Sequence, residues 1–231
     1  HDFIMEVHAI AGDNFIGGEN FTALIANMFL ERMAVAPESL DVPTMNKLTK
    51  AAEAWKIQLT TSSSVEMVFT LDGQEMKSTL TEKDFEAACQ PLLDKLRKPI
   101  ERSLKDSNIS LTDIDKIVLV GGATRMPVVR RFVVKLFNQF PGMLVDPDQV
   151  VVTGAALQCG IKSRDKEISE VVLTDVCPFT LGTDILVDNG AFEEGDHYLP
   201  IIERNTVIPV SRTSTVYTAR DQQKRVNVKI L

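Results

Sequence analysis

Cysteine and histidine are scarce in this 231-residue sequence, with three of each. The cysteines are odd in number and form no C-x-x-C pair, which argues against a disulfide framework or a cysteine zinc site. The histidines lie far apart, which argues against a histidine zinc site or catalytic dyad. Each cysteine has apolar neighbours, so we expect buried, reduced thiols in a cytoplasmic protein. The residues concerned are Cys89, Cys159 and Cys177, and His1, His8 and His197.

Positive charge is also limited, because 25 lysines and arginines face 32 acidic residues and the net charge is −7. Without a basic excess to neutralise phosphates, we expect no nucleic-acid partner and no anionic membrane surface. The most basic run, Arg125 to Lys135, is interpreted as the solvated face of a helix. No apolar stretch is long enough to span a membrane, and the N-terminus lacks the order of a signal peptide.

The pattern of apolar residues predicts several amphipathic helices. One of them is long, opens with a capping box at Thr81–Asp84 and should be kinked by Pro99. The expected helices begin at or near Asn20 (as an N-cap), Thr44, Thr81, Pro127 and Val150.

Strands are predicted in three kinds of pattern. Ile117–Val120 is wholly apolar, as in a sheet that is covered on both faces. Alternation over Val65–Leu71, followed by Asp72-Gly73, predicts a hairpin. After the charged stretch Lys162–Glu170, which we interpret as a domain boundary, the composition becomes typical of an all-β segment. The strands expected there include Val216–Thr218 and Val226–Ile230.

A Gly-Gly turn separates the apolar strand from the helix at Pro127. Gly121 and Gly122 allow a ligand to approach the backbone closely, and the following helical turn presents free N–H groups. Arg125 could lie flat on an adenine ring and keep its charge solvated. The alternative is a plain turn with a surface arginine.

Further candidate residues are individually ordinary. A second Gly-Gly turn precedes the first helix, three polar residues share a face of the second helix at i, i+3 and i+7 spacing, and one aspartate follows a proline. The alternatives are a plain turn, a surface ion pair with a neighbouring hydroxyl, and an N-cap. The residues are Gly17 and Gly18; Glu53, Lys56 and Thr60; and Asp148.

The order of these motifs resembles that of the DnaK-type, seventy-kilodalton heat-shock chaperones. Gly12–Phe21 resembles their Gly-Asp-x-x-Leu-Gly-Gly-Glu-Asp-Phe motif, and Ala51–Leu59 is similar to their adenosine-contacting helix. Ile117–Pro127 resembles their second adenosine motif, and Asp146–Gln158 the segment after it. Val171–Gly182 resembles their interdomain linker and first substrate-domain strand. Near the linker and at Glu6–Ala9 the likeness is greater to the HscC-type branch.

The resemblance implies an ATP or ADP site, with Mg²⁺ in the full-length parent. Residues matching Glu53, Lys56 and Thr60 would hydrogen-bond the ribose and the adenine edge. The family's phosphate loops and magnesium-positioning aspartates are absent from these 231 residues, so we expect no catalysis by the chain alone.

The resemblance also implies roles for the glycine turns. Residues matching Gly121, Gly122 and Arg125 would cradle and stack the adenosine, and the match of Asp148 would support that pocket. The Gly17–Gly18 turn would be a hinge beside the phosphates.

The implied fold class is α/β: an actin-like (ribonuclease H-like) ATPase lobe with an inserted α+β cap subdomain, followed by an incomplete all-β sandwich segment. The lobe would span 1–163, with 19–92 as the cap and 1–18 and 93–163 as the core. Residues 164–175 would be the interdomain linker, and 176–231 the first half of the peptide-binding β-domain.

The β-domain implies unfolded or extended client peptides as partners, together with a J-domain cochaperone and a nucleotide-exchange factor that grips 19–92. Thr183 is less apolar than the family's usual residue at its position. The expected peptide pocket is Thr183, Leu186, Tyr217, Val226 and Val228.

Two alternatives remain at this point. One is a fragment of an actin-fold sugar or acetate kinase, although such kinases end in helices. The other is a naturally truncated, non-enzymatic regulatory protein that binds partners.

Overall fold

A computed structural model describes residues 3–142, 146–164, 171–188 and 193–231. Five α-helices and seven β-strands occur in these ranges, together with short 3-10 turns. The helices are α1 (Gly18–Arg32), α2 (Val42–Gln58), α3 (Glu82–Ser107), α4 (Pro127–Phe137) and α5 (Val150–Lys162). The strands are β1 (Phe3–Glu6), β2 (Ser64–Leu71), β3 (Gln74–Thr81), β4 (Val171–Val176), β5 (Leu181–Asp188), β6 (Glu193–Ile202) and β7 (Val207–Ile208).

The helix starts follow local capping chemistry. Thr81 accepts a hydrogen bond from the Asp84 amide at 3.2 Å, which confirms the predicted capping box. Asp41 caps α2 by accepting from the Thr44 amide at 2.9 Å. Asn20 is not the N-cap of α1, because Gly17 occupies that position and Asn20 is the third residue of the helix. Its Oδ1 accepts from the Gly17 amide at 2.7 Å, so it helps to cap the helix from within.

The hairpin of β2 and β3 is confirmed. Its two strands pair from Ser64 with Thr81 to Leu71 with Gln74. The turn residues Asp72 and Gly73 have φ of 49° and 79°, the left-handed pair that a two-residue hairpin turn needs.

The core lies between α1, α2, the hairpin, α3 and α4. Phe29 is at its centre, with its ring centroid 5.2 Å from that of Trp55 and 6.2 Å from that of Phe69. Cys89 is also buried there, and burial raises the pKa of its thiol to about 12. Cys177 is buried as well, whereas Cys159 is exposed on α5, so the expectation of three buried thiols was wrong for Cys159.

A second sheet joins the start of the described chain to residues between 171 and 208. β4 pairs in parallel with β1 and antiparallel with β7, in the order β1-β4-β7. The stretch Val171–Asp175, which we expected to lie in a linker, forms most of β4, and its role as a linker stays a prediction. Residues 165–170 of the predicted boundary lie outside the described residues.

Three predicted strands do not form. Ile117–Val120 forms a single bridge, between Val118 and Gly142, because no neighbouring strand pairs with it among the described residues. Val216–Thr218 and Val226–Ile230 are not strands either, although β5 and β6 form an antiparallel pair. In this last region Leu231 pairs with β5 through two backbone hydrogen bonds with Gly182, and Lys229 forms an ion pair with Asp184 of the same strand.

α5 forms where it was predicted, but its apolar residues are largely exposed. No helix in the described ranges is long and apolar enough to cross a membrane.

Candidate functional site

The predicted glycine turns meet at the N-terminus of α1. A methyl group added at Gly18 would lie 3.7 Å from Lys56 Nζ and 3.8 Å from Ala123 Cβ. Lys56 belongs to α2, and Ala123 to the 3-10 turn Gly122–Arg125 that follows Gly121. Three motifs that are far apart in sequence therefore surround a position that has no side chain.

Lys56 is anchored to the first glycine turn. Its Nζ donates to the Gly18 carbonyl at 3.1 Å and to Thr22 Oγ1 at 2.7 Å. Lys56 also borders a cavity of about 10 Å³ with Leu59, Phe85 and Met126. The ammonium group thus has a fixed position between α1 and α2.

Glu53 and Thr60 flank Lys56 along the chain. Glu53 is exposed, and its carboxylate makes no hydrogen bond with the described residues. Thr60 lies just beyond the end of α2, and its hydroxyl donates to the Ile57 carbonyl at 2.6 Å. The structure therefore holds Lys56 in place and leaves the Glu53 carboxylate open to solvent.

The second glycine turn is shaped by its backbone and by two aspartates. Gly121 has a φ of 90°, a conformation that favours glycine, and its amide donates to the Pro147 carbonyl at 3.0 Å. A methyl group at Gly122 would lie 3.7 Å from Asp148 Oδ1. Asp148 does not cap α5, because Gln149 is the N-cap and Asp148 is paired with Arg125.

Arg125 is held by two carboxylates. One guanidinium nitrogen lies 3.0 Å from Asp146 Oδ1 and 2.5 Å from Asp148 Oδ2. All three side chains are about half exposed, so these pairs contribute little to stability. They do fix the direction of the arginine and leave the faces of its guanidinium plane free of hydrogen bonds.

Two residues that organise this site were not among the predicted site residues. Asp146 binds Arg125 and also accepts from the Asp148 amide at 3.0 Å. The Asp-x-Asp spacing, typical of a local Asx turn, is the signal that could have revealed it. Thr22 holds Lys56, and its spacing of four residues from Gly18 suggested a side-chain bond to that carbonyl.

A second candidate site is a cavity of about 620 Å³ beside β5. Leu186, Tyr217 and Val226, three of the five predicted peptide-pocket residues, line it. Thr183 and Val228 do not line this cavity. Asp184 also lines it and is paired with Lys229 at 2.9 Å, so one acidic group lies beside an apolar surface.

A polar contact joins the end of α3 to the turn between β6 and β7. Asp106 binds Arg204 through both oxygens, at 2.6 and 2.7 Å. Asn205 donates to the same carboxylate at 3.3 Å and accepts from the Ile10 amide at 3.1 Å. Asp106 is 14% exposed, so this contact is better shielded from solvent than the pairs at Arg125.

No group of three or more histidine, cysteine, aspartate or glutamate side chains within the described ranges could hold a metal ion.

Comparison with known proteins shows the family to which the chain belongs. The family model described as Hsp70 protein matches residues 2–231. The chain belongs to the Hsp70 family.

Individual relatives agree with this assignment. The chain is 38% identical to heat shock 70 kDa protein 7, chloroplastic, of Arabidopsis thaliana and 37% identical to the stromal 70 kDa heat shock-related protein, chloroplastic, of Pisum sativum. It is 35% identical to the chaperone protein DnaK of Deinococcus deserti. All of this chain is covered in each comparison, but only 32%, 32% and 37% of the three relatives. The chain therefore spans about a third of the length of these relatives.

Family membership confirms the resemblance to DnaK-type chaperones and a mixed helix-and-sheet fold. The particular likeness to the HscC-type branch stays a prediction.

Proposed function

We propose that this chain supplies the adenosine side of an ATP site, and part of a peptide-binding β-domain, to an ATP-dependent molecular chaperone. The observation that carries the proposal is the convergence of Gly18, Lys56 and the Gly121–Arg125 turn. The absent side chain at Gly18 leaves room for close approach of a ligand. Family membership does not favour the kinase or the truncated regulatory protein.

The residues around this point suit an adenine nucleotide. Lys56, Glu53 and Thr60 supply donors and acceptors for ribose hydroxyls and the adenine edge. Arg125, braced by Asp148, offers a guanidinium plane for stacking. Gly17 and Gly18 would lie beside the phosphates, and Gly121 and Gly122 beneath the adenosine. Bound ATP would supply the phosphoryl group, and Mg²⁺ would neutralise its charge in the full-length protein.

The proposed domain arrangement is the one that the resemblance implies. Residues 1–163 form the second actin-like lobe, with 19–92 as its cap, 164–175 as the linker and 176–231 as the start of the β-domain. The common core of α1, α2 and the hairpin supports the cap, although α4 also packs on it. A nucleotide-exchange factor would grip the cap, and a J-domain cochaperone would act on the lobe. We propose a cytoplasmic location, although relatives include chloroplast proteins.

The linker would control peptide affinity by docking on the lobe or leaving it. Pairing of β4 with β1, and the contact of Asp106 with Arg204, support a docked arrangement in this structure. Extended apolar peptides would bind in the cavity lined by Leu186, Tyr217 and Val226.

Calorimetric and NMR titration of the chain with adenosine, ADP and GDP tests the nucleotide proposal. We expect weak binding of adenosine and ADP and about tenfold weaker binding of GDP, because the site is proposed to read the adenine edge. Arg125→Ala and Lys56→Met should each weaken ADP binding about tenfold. Lys50→Met, an exposed lysine of the same helix, is the matched control and should have no effect. Equal affinities for ADP and GDP, or an unchanged affinity in both site variants, would contradict the proposal.

A further inference from the structure

Thr22 is the buried polar side chain of the described core, with 1% of its surface exposed. Its hydroxyl donates to the Gly18 carbonyl at 3.2 Å and accepts from Lys56 Nζ at 2.7 Å. Lys56 Nζ donates to the same carbonyl at 3.1 Å. The three groups form a closed triangle between the first glycine turn and α2.

The triangle determines the direction of each hydrogen. A threonine hydroxyl has one proton, and this proton points at Gly18, so a lone pair of Oγ1 faces Lys56. An ammonium group has three protons, of which Lys56 uses two here. The third proton has no acceptor among the described residues.

Both partners of Lys56 are neutral oxygens. Among the described residues no carboxylate lies within ion-pair distance of Lys56 Nζ, and the nearby Glu82 is paired with Arg131 at 2.6 Å. Lys56 is therefore held in place without having its charge neutralised. This combination suits a cation that must face an anionic or hydroxyl-rich ligand.

A threonine that bonds to the carbonyl four residues earlier is common in helices and has no functional meaning alone. Thr49 in α2 makes the same bond, to the Met45 carbonyl at 2.9 Å. Thr49 makes no hydrogen bond to a lysine in the described structure. The bond from Lys56 is what distinguishes Thr22 from this internal comparison.

We propose that Thr22 is a positioning residue of the nucleotide site: it orients the Lys56 ammonium group and ties it to the Gly17–Gly18 turn. The proposal rests on the proposed function, because it assigns Thr22 to the same nucleotide site. Thr22 itself, being buried, does not contact the ligand.

The test compares Thr22→Val with Thr49→Val, because valine keeps the shape of threonine and removes the hydroxyl in both. ADP affinity is measured by NMR titration, which reaches millimolar dissociation constants, and folding by thermal unfolding. We expect Thr22→Val to weaken ADP binding at least about fivefold and Thr49→Val to change it less than about twofold. Thr22→Ser keeps the hydroxyl and should restore the wild-type affinity.

The route through Lys56 is tested in the Lys56→Met background. There Thr22→Val should change ADP affinity less than about twofold, because the group that Thr22 positions is gone. A loss as large as in the wild-type background would overturn the proposal. So would an unchanged ADP affinity in a folded Thr22→Val variant.

Thr22→Ser and Thr22→Cys provide a second pair if the valine variant does not fold. The two side chains are of similar size, but a thiol is a much weaker hydrogen-bond partner than a hydroxyl. We expect the cysteine variant to bind ADP several-fold more weakly than the serine variant, and equal affinities would refute the role of Thr22. If the wild-type chain bound neither ADP nor adenosine, the proposed function itself would fail, an outcome distinct from a silent Thr22.

Discussion

The helical region and the β-rich region of this chain differ sharply in how they are held together. Nearly every buried apolar side chain of the described residues lies between Phe21 and Val133. In the described residues from 171 onwards the buried apolar side chains are Val176 and Cys177. The first region therefore has its own hydrophobic core. The second depends on strand pairing and on a few polar contacts with the first.

The largest expected effect comes from the core. Phe29→Ala should lower the free energy of unfolding by about 3–5 kcal/mol, because a cavity would remain between Trp55 and Phe69. Tyr217→Ala, at a side chain that is 92% exposed, should change it by less than about 0.5 kcal/mol. Urea unfolding followed by the fluorescence of Trp55, the single tryptophan, measures both. Similar losses in the two variants would contradict the contrast between the regions.

The next effect concerns the β-rich region. At Gly182 an added methyl group would overlap the Leu199 carbonyl and lie 2.6 Å from the Tyr198 ring. Gly182→Ala should therefore lower the free energy of unfolding by about 2–3 kcal/mol and separate β5 from β6. Hydrogen exchange should become faster in β5 and stay unchanged in α1. Gly12→Ala is the control, because its methyl group would meet no atom within 4 Å.

The contact between the regions should have a smaller effect. Asp106→Asn should lower the free energy of unfolding by about 1–2 kcal/mol, because it removes the negative charge of the carboxylate that Arg204 and Asn205 both bind. We expect faster hydrogen exchange at Cys177 and Asn205, whose backbones are bonded to each other. Glu75→Gln, in the exposed pair with Lys77, should have almost no effect. A silent Asp106→Asn variant would mean that strand pairing alone joins the regions.

The smallest expected change in the free energy of unfolding concerns the N-cap of α3. Thr81→Ala should cost about 1 kcal/mol at pH 7. The Thr81 hydroxyl, followed by Arg32, lowers the pKa of Asp84. The part of the stabilisation that depends on the Asp84 carboxylate is therefore present above the usual aspartate pKa and is lost as pH falls through the lower value in the folded state, whereas the bond from the Asp84 amide to Thr81 does not titrate. The difference between the variant and wild type should therefore shrink below about pH 4. A difference that stays constant down to pH 2 would contradict this origin.

The sequence predicted the helices well because their signals are local. The Thr81–Asp84 capping box and the hairpin at Asp72 are formed by residues that are neighbours in the chain. Ile117–Val120 failed as a strand because pairing requires a partner that the pattern of one segment does not supply. The pairing of β4 with β1 joins residues that are almost 170 positions apart, and periodicity carries no information on it.

The candidate site was predictable in its residue types but not in its contacts. The motifs indicated Lys56, Arg125 and Asp148, and the structure brings them close to the two glycine turns. The resemblance could not show that Arg125 is held by two carboxylates or that Thr22 is buried against Lys56. Both depend on side-chain directions that are set by tertiary packing.

β4 has different neighbours on its two edges, and this asymmetry has a mechanical consequence. Along one edge it meets β1 over four residues, and along the other it meets β7, with further bonds between Cys177 and the turn at Asn205 and Thr206. If the edge with β1 opened, β4 would separate from β1 and keep its pairing with β7. β4 and the turn that carries Arg204 would then move together, because the bonds of Cys177 join them. Separation of β4 from β1 would therefore also withdraw Arg204 from Asp106.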